Sequence, residues 1–134
     1  MRAVIDTRFF IVYFLADNRE TINKTRRILE DLQKEDSQGI IQTVVVHELY
    51  KFEMEKLGRE VADIRINSIL KSKLKIMNLD SQTAIEAARL RCKYADLPMA
   101  DAIIAATAIR TSSDFVLTDD IHIRQVKEVK TKWI

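Results

Sequence analysis

Four carboxylates stand at points where this chain changes character: Asp6, Glu48, Asp101 and Asp120. Asp6 closes the apolar run Ala3-Val4-Ile5, and Asp120 follows Phe115-Val116-Leu117-Thr118-Asp119. Asp101 lies within Met99-Ala100-Asp101-Ala102-Ile103-Ile104, and Glu48 lies between Val44-Val45-Val46 and Leu49-Tyr50. A carboxylate in apolar surroundings costs free energy unless a hydrogen bond or a cation meets it. Each has an ordinary explanation when taken alone. Asp6 suits a helix N-cap, Asp101 offsets the positive end of its own helix, and Glu48 is a solvated helix residue. Brought together, the same groups make a site for a hard divalent cation, which takes oxygen ligands. An acidic cluster without paired His or Cys suits Mg²⁺ or Mn²⁺ better than zinc. Such an ion lowers the pKa of a bound water, aligns it with a phosphodiester and stabilises the departing oxygen. The chemistry this spacing predicts is that of a nuclease.

The elements that must position these groups alternate between strand and helix. Ala3-Val4-Ile5 reads as a short strand and Phe9 to Leu15 as a buried helix. Asp17 and Asn18 cap a second helix running to about Lys34, with Ile22, Ile28, Leu29 and Leu32 on one stripe. Ser37-Gln38-Gly39 reads as a turn and Ile40 to Thr43 as the second strand. A helix follows over Val44 to Leu57, with Glu53 and Glu55 on its charged outer part. Gly58 interrupts it, and the next helix, about Arg59 to Lys71, turns Val61, Ile64, Ile69 and Leu70 inward. Leu74 to Leu79 is the third strand, and Asp80 and Ser81 cap a helix to about Tyr94. Pro98 opens an alanine-rich helix as its first residue. Phe115 to Thr118 is the fourth strand, and the lysine-rich Glu128 to Lys132 suits a fifth at a sheet edge.

Strands separated by helices pair in parallel through right-handed crossovers. The expected fold is therefore α/β: a three-layer α/β/α sandwich around a mostly parallel sheet of about four to five strands. Sites in such folds form outside the carboxyl ends of the strands, where Asp6 and Asp120 fall.

Length and composition bound the alternatives. A chain of 134 residues fits one domain, and its two glycines and one proline argue against a turn-rich β-sandwich. The formal net charge of +2 is too small to signal nucleic-acid binding by itself. Cys92 is the only cysteine, so no intrachain disulfide forms. Its helical pattern with Ala84, Ile85, Ala88 and Ala95 predicts packing as a small apolar residue. The N-terminus reads as a strand instead of a signal peptide, and no apolar run approaches the ~20 residues that span a bilayer. A cytoplasmic protein without membrane association is expected.

Four segments, in order, resemble the PIN-domain family: Val4-Ile5-Asp6-Thr7, His47-Glu48-Leu49, Leu97-Pro98-Met99-Ala100-Asp101-Ala102-Ile103-Ile104-Ala105-Ala106, and Leu117-Thr118-Asp119-Asp120. The third is the most specific, and the resemblance covers essentially the whole chain. It implies a flavodoxin-like fold and a metal-dependent ribonuclease. The short length resembles the VapC-type toxins of toxin–antitoxin pairs, which implies RNA as substrate, a small antitoxin protein as partner and a homodimer. By position, Asp6, Glu48, Asp101 and Asp120 would be the acidic metal residues, with Asp119 an alternative fourth acid. Thr118, with Thr7 beside Asp6, would orient the ligand carboxylates.

Two positions depart from the family pattern. Arg8 follows the aspartate–threonine pair, where a small polar residue is common; it would either contact an RNA phosphate or pair with the site carboxylates. Val46-His47 replaces the usual hydroxyl residue ahead of the glutamate. His47 and His122 read as ordinary surface or loop histidines, with a catalytic role as the lesser alternative. Lys51 joins Arg8 as an RNA-contact candidate, with Arg89, Lys93 and Arg124 behind them and Lys127, Lys130 and Lys132 further out. The rival functions are a non-catalytic RNA-binding module on the same scaffold, a housekeeping RNA-processing nuclease, and a phosphatase or DNA nuclease using the same metal site.

Overall fold

The computed structural model describes residues 1–134. Five strands form one sheet: β1 (Arg2–Ile5), β2 (Gln38–Gln42), β3 (Lys75–Met77), β4 (Phe115–Leu117) and β5 (Thr131–Lys132). Their spatial order is β3-β2-β1-β4-β5, and every neighbouring pair is parallel. Seven helices connect them: α1 (Thr7–Leu15), α2 (Arg19–Asp31), α3 (Thr43–Leu57), α4 (Arg59–Leu70), α5 (Ser81–Lys93), α6 (Met99–Arg110) and α7 (Ile121–Arg124).

The central strand β1 pairs Val4 with Ile40 on one side and with Val116 on the other. Its Ala3, Val4 and Ile5 are wholly buried, as expected for a parallel strand covered on both faces. The chain adds β2 and β3 on one side of β1, then crosses back through α5 and α6 to lay β4 on the other. The strand order therefore reverses between β1 and β4, and their carboxyl ends open a crevice.

Helix α6 explains why its sequence is rich in alanine. Ile104 and Ala108 join the main core under the sheet, while Ala102, Ile103, Ala105 and Ala106 join a second core with Ala87 and Leu90 of α5. A helix buried on two sides needs small side chains to let its neighbours approach. Gly39 shows a similar demand: a Cβ there would lie 2.6 Å from Leu74 Cδ2 and 3.1 Å from Leu32 Cβ. Gln38 and Gly39 thus begin β2 and are not a turn, because the close approach of Leu74 and Leu32 is what required the glycine.

Other expectations are corrected by packing. Glu53 is buried at 1% exposure, not on the charged outer part of α3, because Arg65 of α4 meets it. Ile64 and Leu70 face outward, at 70% and 47% exposure, while Ala62, Ile66 and Ile69 form the buried side of α4. Cys92 is exposed, since Thr83, Ala87 and Leu90 take the inner face of α5. Pro98 is the N-cap of α6, not its first helical residue. Helix α2 ends at Asp31, short of Lys34. No helix is long and apolar enough to cross a membrane.

Candidate metal centre

Asp6 leaves β1 and caps α1, its carboxylate accepting from the Thr7 N–H at 2.7 Å. Its other oxygen accepts from the Thr118 hydroxyl at 2.6 Å, across the crevice from the end of β4. The same Thr118 oxygen accepts from the Asp120 N–H at 3.0 Å. Thr118 therefore ties the turn after β4 to the end of β1. The Asp6 carboxylate and the Asp120 backbone are both fixed by it, although Thr118 is itself 1% exposed.

Glu48 reaches the same place from α3, where it accepts from the Thr7 hydroxyl at 2.8 Å. Asp101 arrives from the first turn of α6. Asp120 caps α7, accepting from the His122 N–H at 2.8 Å. The His122 ring folds back over that cap, with Nδ1 at 3.2 Å from Asp120 Oδ1 and 3.9 Å from Asp101 Oδ2. One ligand atom each from Asp101, Asp120 and His122 falls within 4.8 Å of the others.

The electrostatics follow from that convergence. Burial raises Asp6 from 3.8 to about 6 against the lowering effect of its Thr118 and Thr7 hydrogen bonds; Glu48 and Asp120 push it further up. Burial likewise raises Asp101 to about 7, with the Asp120, Asp6 and Glu48 carboxylates adding to the rise and His122 opposing it. Neighbouring acids thus act on Asp6 and Asp101, which keep their protons to about pH 6 and about pH 7. A divalent cation resolves this by replacing mutual repulsion with attraction. The donors are carboxylate oxygens plus one imidazole nitrogen, so the residues present fit a hard or borderline divalent ion.

The remaining candidates lie outside this cluster. Asp119 is engaged by Arg8 through two hydrogen bonds, which hold its carboxyl below the usual range. Arg8 thus pairs with the carboxylate next to the cluster and leaves the four acids clear of a direct ion pair. Lys51 is exposed and pairs with Glu55 one turn on. Together with Glu48, His47 and Phe52 it lines a cleft of about 480 Å³ between α3 and α6. Arg89 pairs with Glu86, and Lys93 with Glu128. Arg124, Lys127, Lys130 and Lys132 are exposed.

His122 is the residue that reading the sequence undervalued. The available signal was its place two residues after Asp120. A capping carboxylate at that spacing draws the following backbone N–H inward and carries the ring with it.

The family model described as PIN domain matches residues 3–129. No match was found among curated proteins. Solved structures with the same fold include VapBC2 from Rickettsia felis bound to a promoter DNA fragment, at TM-score 0.79 and 18% identity. That match covers 99% of this chain and 98% of the other. A toxin–antitoxin complex from Klebsiella pneumoniae gives TM-score 0.70 and 22% identity, covering 98% and 99%. The sarcin–ricin loop cleaving toxin VapC20 from Mycobacterium tuberculosis gives 0.73 and 13%, covering 96% and 98%.

Proposed function

From the premise that the chain belongs to the PIN domain family, we propose that it is a metal-dependent endoribonuclease and the toxin of a toxin–antitoxin pair. The observation that carries this reading is geometric: ligand atoms of Asp101 and Asp120 lie within 4.8 Å of each other, and Asp6 and Glu48 are joined beside them through Thr7. Burial and the neighbouring acids raise Asp6 and Asp101. Perturbed acids in a crevice are the signature of a working site. These four carboxylates would hold Mg²⁺ or Mn²⁺, which supplies Lewis acidity toward water and toward the phosphate oxygens.

The chain's own residues do the positioning. Thr118 and the Thr7 N–H hold Asp6, the Thr7 hydroxyl holds Glu48, and the His122 N–H holds Asp120. Because the Thr7 and Thr118 hydroxyls both donate to carboxylates, neither is aimed outward as a nucleophile. With a divalent ion held by the acids, water would be the attacking group. Arg8, half exposed beside the acids, suits bidentate contact with an RNA phosphate, and Lys51 on α3 suits a second.

RNA is favoured as substrate by family membership and by the fold shared with a toxin that cleaves the sarcin–ricin loop. A non-catalytic module would be expected to lack one of the acids, and all four are present. A housekeeping nuclease would use the same residues. The test is incubation with single-stranded and structured RNA, and with DNA, in Mg²⁺, Mn²⁺ or EDTA. Cleavage of RNA with either metal and none in EDTA is expected. Binding without cleavage in either metal would overturn the enzyme reading.

The partner reading rests on the α3–α4 pair. Met54 and Leu57 on α3, and Ile64 and Leu70 on α4, are large apolar side chains exposed at 39% to 70%. Exposed apolar side chains on these helices suit a second copy of the chain or an amphipathic antitoxin helix. Solved toxin–antitoxin complexes that share the fold favour a protein partner. A homodimer by light scattering is expected, with Ile64→Glu shifting it to monomer while changing stability by less than about 0.5 kcal/mol, as an exposed substitution should. A variant that stays dimeric would place the interface elsewhere.

A further inference from the structure

We propose that His122 is itself a metal ligand through Nδ1, and that this nitrogen makes the centre prefer a first-row transition ion, Mn²⁺, over Mg²⁺. The inference rests on the reading of the acidic cluster as a metal site and adds to it a donor of a different class. Ligand atoms sharing one six-coordinate ion with bonds of about 2.1 Å lie about 3 Å apart along an edge and about 4.2 Å apart across it. The Nδ1 separations are 3.2 Å from Asp120 Oδ1, near the first distance, and 3.9 Å from Asp101 Oδ2, near the second, with the ligand atoms of all three residues within 4.8 Å of one another.

The imidazole is held there by the fold. Its backbone N–H caps onto Asp120, and the next residue, Ile123, is wholly buried and pins the short helix to the core. Its neighbour Ile121, at 72% exposure, points to solvent, so the ring is the side chain of this turn that faces the acids. Without an ion, Nδ1 can donate to Asp120 Oδ1 at 3.2 Å. An ion takes the place of that proton once the ring proton sits on Nε2, and the nitrogen lone pair completes the set.

Donor type then sets preference. Magnesium keeps oxygen ligands and its waters, whereas an imidazole nitrogen strengthens the binding of first-row transition ions, Mn²⁺ the least among them. An all-carboxylate centre would discriminate weakly between Mg²⁺ and Mn²⁺. With a nitrogen in place, Mn²⁺ gains and Mg²⁺ does not.

The test uses tag-free protein loaded with Mn²⁺, beside His122→Gln and His47→Gln. Electron spin-echo envelope modulation reads directly whether a nitrogen is bound to the ion, and calorimetry reads Mn²⁺ and Mg²⁺ affinity. Nitrogen modulation is expected in the unmodified protein and in His47→Gln, and is lost in His122→Gln. The last variant should bind Mn²⁺ at least about 10-fold more weakly while Mg²⁺ affinity moves less than about 3-fold. Bound Mn²⁺ without nitrogen modulation in the unmodified protein would overturn the assignment, as would modulation that persists in His122→Gln. RNA cleavage without nitrogen modulation would remove this inference and leave the nuclease standing. Nitrogen modulation without cleavage would do the reverse.

Discussion

Replacing Asp101 with asparagine is expected to cut metal-dependent RNA cleavage by more than about 100-fold, beyond what loss of a merely supporting contact costs. The same change is expected to make the metal-free protein more stable at pH 7.5. Both effects come from one group. In the folded chain Asp101 is raised from 3.8 to about 7, first by burial and then by Asp120, Asp6 and Glu48. The unfolded chain releases this proton near pH 4, while the folded chain keeps it to about pH 7. Stability is therefore present in full at low pH and falls as pH rises between those values. Asparagine keeps the shape, cannot ionise, and escapes that loss.

The gain is on the order of 1–2 kcal/mol once the partial solvent contact of the side chain is discounted. Asp6, raised to about 6, behaves with the same sign and more deeply buried. Thermal melts in EDTA at about pH 5 and about pH 7.5 check this. The unmodified protein should lose stability between them and Asp101→Asn should lose less. Added Mn²⁺ should restore the unmodified protein at the higher pH and leave the variant nearly unchanged. Identical melts of the two proteins at the higher pH would mean that the carboxylates do not repel as described.

The second large effect lies away from the acidic cluster. Arg65→Ala is expected to destabilise the fold by about 3–5 kcal/mol, and Glu53→Gln by about 1–3 kcal/mol. Arg65 Nη1 donates to both Glu53 oxygens at 3.0 and 3.2 Å, and its guanidinium carbon lies 5.0 Å from the centre of the Phe14 ring. One pair thus fastens α3, α4 and α1 together. The asymmetry follows from burial. Glu53 is 1% exposed and would be left as an unpaired interior charge, whereas Arg65 at 25% can turn to water when its partner is neutral. Urea unfolding of both variants measures the difference, and a larger loss for Glu53→Gln would refute the argument. Metal affinity should change little in either, because neither side chain contacts the acidic cluster.

These two predictions divide along the line between what was legible in the chain and what was not. Asp101 could be singled out because small and apolar neighbours on both sides make a carboxylate there costly. Glu53 offered no such signal. It sits among Phe52, Met54, Glu55 and Lys56, a mixed stretch in which a charged residue belongs outside. Only the position of Arg65, 12 residues on, decides that it is buried. Ile64 and Leu70 failed in the opposite sense, since an apolar stripe on α4 does not say whether it faces the core or a partner.

By itself the chain determined the alternation of elements and the parallel sheet, and it singled out the four acids as candidates. Each of these depends on local physics: apolar runs that suit buried strands, side chains that cap helices, and carboxylates set against apolar flanks. The tertiary structure alone decided how the site is assembled. Thr118 holds Asp6 from 112 residues away, Arg8 takes Asp119 from 111, and Thr7 holds Glu48 from 41. His122 joined the acids in the same way, through a short turn whose direction is fixed by Ile123 in the core. No window of neighbouring residues contains those contacts, because they arise only where crossover helices return the chain to the same sheet edge.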